Sequence, residues 1–63
     1  MTIRLLDVVA LTVDRLDKGL VRGQVGTVVE IVGPRVYEVE FSDDKGQTYA
    51  TGVARRSTLG LAL

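Results

Sequence analysis

Apolar and polar residues alternate most cleanly at Tyr37-Glu-Val-Glu-Phe41, which sets Tyr37, Val39 and Phe41 on one side of a strand and Glu38 and Glu40 on the other. Tyr37 and Phe41 are core by this pattern. Before it, Gln24 to Val32 reads as a strand with Val25, Thr27, Val29 and Ile31 on one face and Gly26, Val28, Glu30 and Val32 on the other. Glu30 marks the second face as the wetter one. Gly26 inside that run predicts a bulge or a bend where a sheet curls over itself. Gly33-Pro34-Arg35 turns the chain between the two strands, with Pro34 preset for the first central turn position. Asp43-Asp44-Lys45-Gly46 fits a type I turn closed by a left-handed glycine and leads to a strand from Gln47 to Ala54.

The ends of the chain are less regular. Ile3-Arg-Leu-Leu-Asp-Val-Val-Ala-Leu11 fits a helix that groups Leu5, Val8 and Val9, or a strand that parts Val8 from Val9. The β-branched Val-Val pair favours a pleated surface, so a strand is predicted from Asp7 to Thr12 after a short turn at Arg4 to Asp7. Residues 12–23 mix charge with Gly19 and Gly23 and keep no period, which predicts a long ordered loop. Leu16, Leu20 and Val21 are expected to tuck under the sheet, and the two glycines to sit at positive φ or at a close approach, which costs them nothing sterically. After Arg55-Arg-Ser-Thr58, a short turn and a fifth strand through Leu59, Leu61 and Leu63 would close the sheet.

Composition narrows the function classes. At 63 residues with 46% hydrophobic content, residues 1–63 form one domain that buries a limited core. Cysteine and histidine are both absent, which removes disulfides, thiolate metal sites and the side chain most used for proton transfer near neutral pH. A reducing cytoplasmic location fits best. No apolar run approaches the ~20 residues of a spanning helix, and no cationic stretch with an apolar core marks a secretion signal, so no membrane is expected. Eight basic residues balance eight acidic ones, whereas proteins that hold phosphate backbones carry a basic excess. The signs are uneven, however. Glu30, Glu38, Glu40, Asp43 and Asp44 precede a stretch with Lys45, Arg55 and Arg56 and no acid, so an acidic strand face beside a basic tail is expected.

The order of short strands, a long first loop, tight hairpins and a closing strand resembles an SH3-like barrel, an all-β fold of about five antiparallel strands. More closely, Leu5-Leu-Asp-Val-Val-Ala-Leu-Thr12, Gly19-Leu-x-Arg-Gly-x-Val-Gly-Thr-Val-Val-Glu30, Tyr37-Glu-Val-Glu-Phe41 and Gly46-x-Thr-Tyr-Ala50 resemble a bacterial family known as domain of unknown function 4926. The resemblance implies a compact β-barrel, often encoded beside other small proteins, and no established activity. Arg55-Arg56-Ser57-Thr58 stands where the family carries an acidic or amide-bearing turn. Leu20-Val-Arg-Gly-Gln-Val-Gly-Thr-Val28 is also loosely similar to the KOW motif of RNA-facing barrels, without its surrounding lysines.

Reactive constellations are scarce. Glu38 and Glu40 share a strand face but lack a cleft or a cation to separate their titrations. Ser42 and Ser57 have no histidine to activate them, and Asp43 and Asp44 fall short of a hard-cation shell and suit turn chemistry better. No catalytic residue, metal site or cofactor is therefore expected. Arg15, Arg22, Arg55 and Arg56 are the candidates for a basic patch that grips an acidic partner or RNA, set against a structural reading in which they balance the acidic face in cis. Tyr49 joins them as a stacking side chain if it faces outward, although 5% aromatics and no tryptophan disfavour polyproline recognition. The expectation is a non-enzymatic protein-interaction module with a protein partner, a second copy of itself being one version. A KOW-like nucleic-acid binder is the alternative.

Overall fold

Strands form where the alternation and the turn residues place them. The computed structural model describes residues 2–43 and 45–62, with Tyr49 described through its backbone alone. In it β1 (Val8–Leu11), β2 (Val25–Gly33), β3 (Val36–Ser42), β4 (Thr48–Arg55) and β5 (Leu59–Leu61) succeed one another, with 3-10 turns at Leu16–Lys18 and Arg56–Thr58. Every pairing is antiparallel, and the single sheet runs β4-β3-β2-β1-β5. The all-β, five-stranded expectation holds, with strand ends within a residue or two of those read from the sequence. Leu63, expected in the last strand, and Asp44, expected in the turn before β4, lie outside the described residues.

One face of this sheet is dry. Val9, Leu11, Val28, Tyr37, Val39, Phe41, Ala54 and Leu59, drawn from all five strands, form one buried cluster with Ile3 and Leu20. Ala54 and Leu59 come from opposite ends of the sheet order yet share that cluster, so the sheet curls around it. The overall extents of 27 × 22 × 20 Å agree, since a flat sheet is a layer only ~10 Å deep.

The interior differs from the alternation read along β2. Val28 is fully buried, whereas Val25 is exposed and Val29 is only partly covered. The cause is a register shift: Gly26, Thr27 and Val28 pair with Phe41, Glu40 and Val39, then Val29 is skipped and Glu30 pairs with Glu38. An extra residue reverses the side that each later side chain takes. Glu30 therefore faces outward with Glu38, and it labels the wrong partners when parity is carried back through Val29. Gly26 lies at a close approach, where an added Cβ would stand 2.6 Å from Val39 Cγ1 and 2.7 Å from the Glu40 carbonyl oxygen.

The long loop is anchored by its backbone more than by its leucines. Arg15 and Leu20 exchange N–H···O bonds of 2.8 and 2.9 Å around the first 3-10 turn, and Leu20 enters the core. Leu16, at 74% exposure, and Val21 stay outside, contrary to expectation, because the reciprocal bond aims Leu20 inward and leaves its neighbours on the turn's outer rim. Gly19 and Gly23 take φ of 70° and 93° as expected. The stem of Lys18 covers the inner side of β4 at Gly52. Asp43 organises the turn before β4: its Oδ1 accepts from the N–H groups of Lys45 and Gln47, and Gly46 closes it at φ 78°.

Candidate functional site: an arginine-lined groove

The β2–β3 hairpin and the chain after β4 meet at one end of the sheet. Gly33 pairs with Val36 around Pro34 and Arg35, and Arg35 adopts φ 59°, the left-handed value that the second central position of a type II turn demands. Val36 pairs in turn with Arg55, the last residue of β4. The Arg56 N–H donates to the Arg35 carbonyl at 2.8 Å and ties the second 3-10 turn to the hairpin. Arg56 Nη1 donates to the Leu59 carbonyl at 2.7 Å, and the Thr58 hydroxyl donates to the Arg55 carbonyl at 2.8 Å. The turn is held from both sides.

These contacts shape an open groove of about 510 Å³ lined by Pro34, Arg35, Val36, Arg55, Arg56 and Ser57. Arg35 and Arg56 also border an adjoining hollow with Thr2, Ile3 and Tyr37. Among the described residues, no carboxylate lines either space. The nearest acids by register lie two pairs from Val36 and Arg55 on the outer face, where Glu30 stands opposite Glu38 and Glu38 opposite Val53. The acidic strand face and the basic tail are thus neighbours. Among the described residues, no ion pair within 4 Å joins Arg35 or Arg55 to an acid, whereas Arg15 pairs with Asp17 at 3.6 Å.

Of the arginines singled out in the sequence, Arg55 and Arg56 come together here. Arg15 stays in the loop with Asp17, and Arg22 is exposed with its N–H bonded to Asp14 Oδ1 at 2.8 Å; neither lines the groove. Tyr49 lies in β4, and its side chain is outside the described residues. Arg35 is the member that the sequence reading left out of the patch. Its signal was present, an arginine after Gly-Pro where a turn of this type prefers glycine.

Chemically, the groove offers guanidinium donors, one serine hydroxyl and the apolar surfaces of Pro34 and Val36. Glu38 and Glu40 line neither space, and Glu40 accepts from the Thr48 hydroxyl at 3.3 Å. Asp43 is engaged in its turn. Among the described residues, no group of three His, Cys, Asp or Glu gathers as metal ligands, and no helix is long and apolar enough to cross a membrane. The arrangement is suited to holding an anion.

Comparison with known proteins gives one family: the profile described as Domain of unknown function (DUF4926) matches residues 5–59. No curated protein and no solved structure matches the chain.

Proposed function

Because the chain belongs to the family of domain of unknown function 4926, whose description assigns no activity, we propose from the geometry that it is a non-enzymatic interaction module, which binds another protein by adding a strand to the free edge of β4. The observation that carries this is the edge itself. From Ala50 to Arg55, β4 pairs residue for residue with β3 on one side and ends the sheet on the other. Proteins usually guard such an edge with lysine, proline or brevity, yet Thr48–Arg55 contains neither residue and is 8 residues long. At the opposite end, β5 has 3 residues and offers little to pair with. Thr51 and Val53 stand exposed on the outer face of β4, where a partner strand would contact them.

The curled sheet, the long first loop and the short turn before β5 support an SH3-like barrel as the scaffold. A cytoplasmic bacterial setting, in which the protein neutralises or assists a neighbouring protein, accords with the family resemblance. Self-association through the same edge is a version of this reading. The KOW-like alternative draws support from the convergence of Arg35, Arg55 and Arg56, but Glu30 and Glu38, two register rows on, repel an extended polyanion.

Affinity capture from bacterial lysate at high salt, followed by amide hydrogen exchange on the purified complex, tests the proposal. Strand addition slows exchange along Ala50–Arg55. Captured RNA whose affinity falls steeply with salt would replace this reading with the nucleic-acid one. Protection confined to the loop at residues 12–23 would move the interface away from β4.

A further inference from the structure

We propose that the groove between the β2–β3 turn and the Arg56–Thr58 turn is a carboxylate-binding site, which receives an acidic group at the end of the strand that pairs with β4. The source of the carboxylate rests on the strand-addition reading, while the chemistry of the site rests on the groove alone. Arg55 joins the two features, since it is both the last residue of the free edge and part of the groove lining. A strand lying along β4 ends beside it.

Three observations assign the ligand class. Arg35 occupies a left-handed backbone position, at φ 59°, that glycine fills without strain, and it is one of the residues that line the groove. A strained residue with a functional side chain is the pattern of a binding position. Arg56 is half-buried and oriented by its bond to the Leu59 carbonyl, so part of the site is ordered before a ligand arrives. The lining combines Arg35, Arg55 and Arg56 with Pro34 and Val36 and, among the described residues, includes no acid. Planar forks of this kind match a carboxylate in bidentate fashion, and the apolar floor suits a peptide segment. Glu30 and Glu38, two register rows from the Val36–Arg55 pair, limit the site to a compact anion and disfavour a phosphate chain.

The carboxylate has two sources, an aspartate or glutamate side chain and a free C-terminus. Nitrogen-15 NMR titration of the full chain separates them, with a short valine-threonine peptide that ends in aspartate as the probe. The peptide is compared with its C-terminal amide, with the version ending in asparagine, and with the version carrying both changes. Acetate and inorganic phosphate are titrated alone.

The amides of Arg35, Val36, Arg56 and Ser57 are expected to shift with carboxylate-bearing probes and to stay still with the doubly neutral peptide. Whichever single neutralisation removes the shift identifies the source. Arg35→Gln and Arg55→Gln should each weaken binding about tenfold, the scale of one charge-assisted hydrogen bond. Arg56 is left intact because it holds the turn.

Equal affinity for the charged and doubly neutral peptides overturns the proposal. So does binding indifferent to both arginine substitutions in variants whose spectra remain folded, or a response to phosphate with none to carboxylates. If β4 amides shift alike with every peptide while the groove is silent, strand addition stands and the carboxylate site falls. If the groove responds and β4 does not, the site stands and strand addition falls.

Discussion

Gly26 and Gly52 both replace a side chain with hydrogen on the inner side of the sheet, yet the space around them differs. At Gly26 an added methyl meets the Glu40 carbonyl at 2.7 Å and Val39 Cγ1 at 2.6 Å, and the carbonyl cannot swing aside without breaking the β2–β3 ladder. At Gly52 the nearest atom is Lys18 Cδ at 3.4 Å, on a flexible stem. Gly26→Ala is therefore expected to destabilise by about 3 kcal/mol, at the upper end of ordinary overpacking. Gly52→Ala should stay within about 0.5 kcal/mol of the parent. Guanidinium denaturation reads both, and equal losses would remove close approach as the explanation. Arg35 invites the opposite experiment. A left-handed L-residue costs about 1–2 kcal/mol, and glycine's extra freedom in the unfolded chain returns about 0.4–1 kcal/mol of that. Arg35→Gly should thus gain roughly 0.5 kcal/mol while losing anion binding. A loss of stability would show instead that the side chain serves the fold. The sequence displays this arginine, but only as the end of the Gly33-Pro34-Arg35 turn. Its link to Arg56 depends on where β4 ends in space, which no local pattern encodes.

Strands were legible where a single face is buried without interruption. β3 alternates through Tyr37, Val39 and Phe41, and its partner strands needed only turn residues to be placed. β2 was legible as a strand but not in its facing, because a skipped residue at Val29 leaves no trace in a run of valines and isoleucine that suits either side. The distinction is measurable. Val28→Thr puts a hydroxyl into a fully buried position and is expected to cost about 1–3 kcal/mol. Ile31→Thr, at a position 53% exposed, should cost about 0.5 kcal/mol or less. Reversed magnitudes in chemical denaturation would restore the uninterrupted alternation. For the free edge of β4 the corresponding change is Thr51→Lys, which adds a guard charge at an exposed position. Stability should move by less than about 0.5 kcal/mol, and peptide-induced shifts along β4 should vanish. Unchanged shifts would place the interaction elsewhere.

Because one apolar cluster draws on every strand, no strand can leave while the others keep a dry interior. Unfolding should be a single transition, seen at the same midpoint by far-ultraviolet dichroism and by tyrosine fluorescence. A chain of 63 residues without disulfides sits in the range where the core supplies about 3–5 kcal/mol. Phe41 is 1% exposed, and truncating a buried phenylalanine to alanine costs about 3–5 kcal/mol, as much as the whole. Phe41→Ala is therefore expected to be largely unfolded at room temperature, whereas Val53→Ala on the outer face should remain folded within about 0.5 kcal/mol of the parent. Marginal stability also couples folding to the proposed function: a ligand present at a hundred times its dissociation constant adds about 2.7 kcal/mol. That is a large fraction of the total, so a peptide that pairs with β4 should raise the melting temperature well beyond measurement error. It should also restore a folded fraction to Val28→Thr. A Phe41→Ala chain that melts cooperatively near the parent would mean that the cluster around Phe41 does not hold the sheet in its curl.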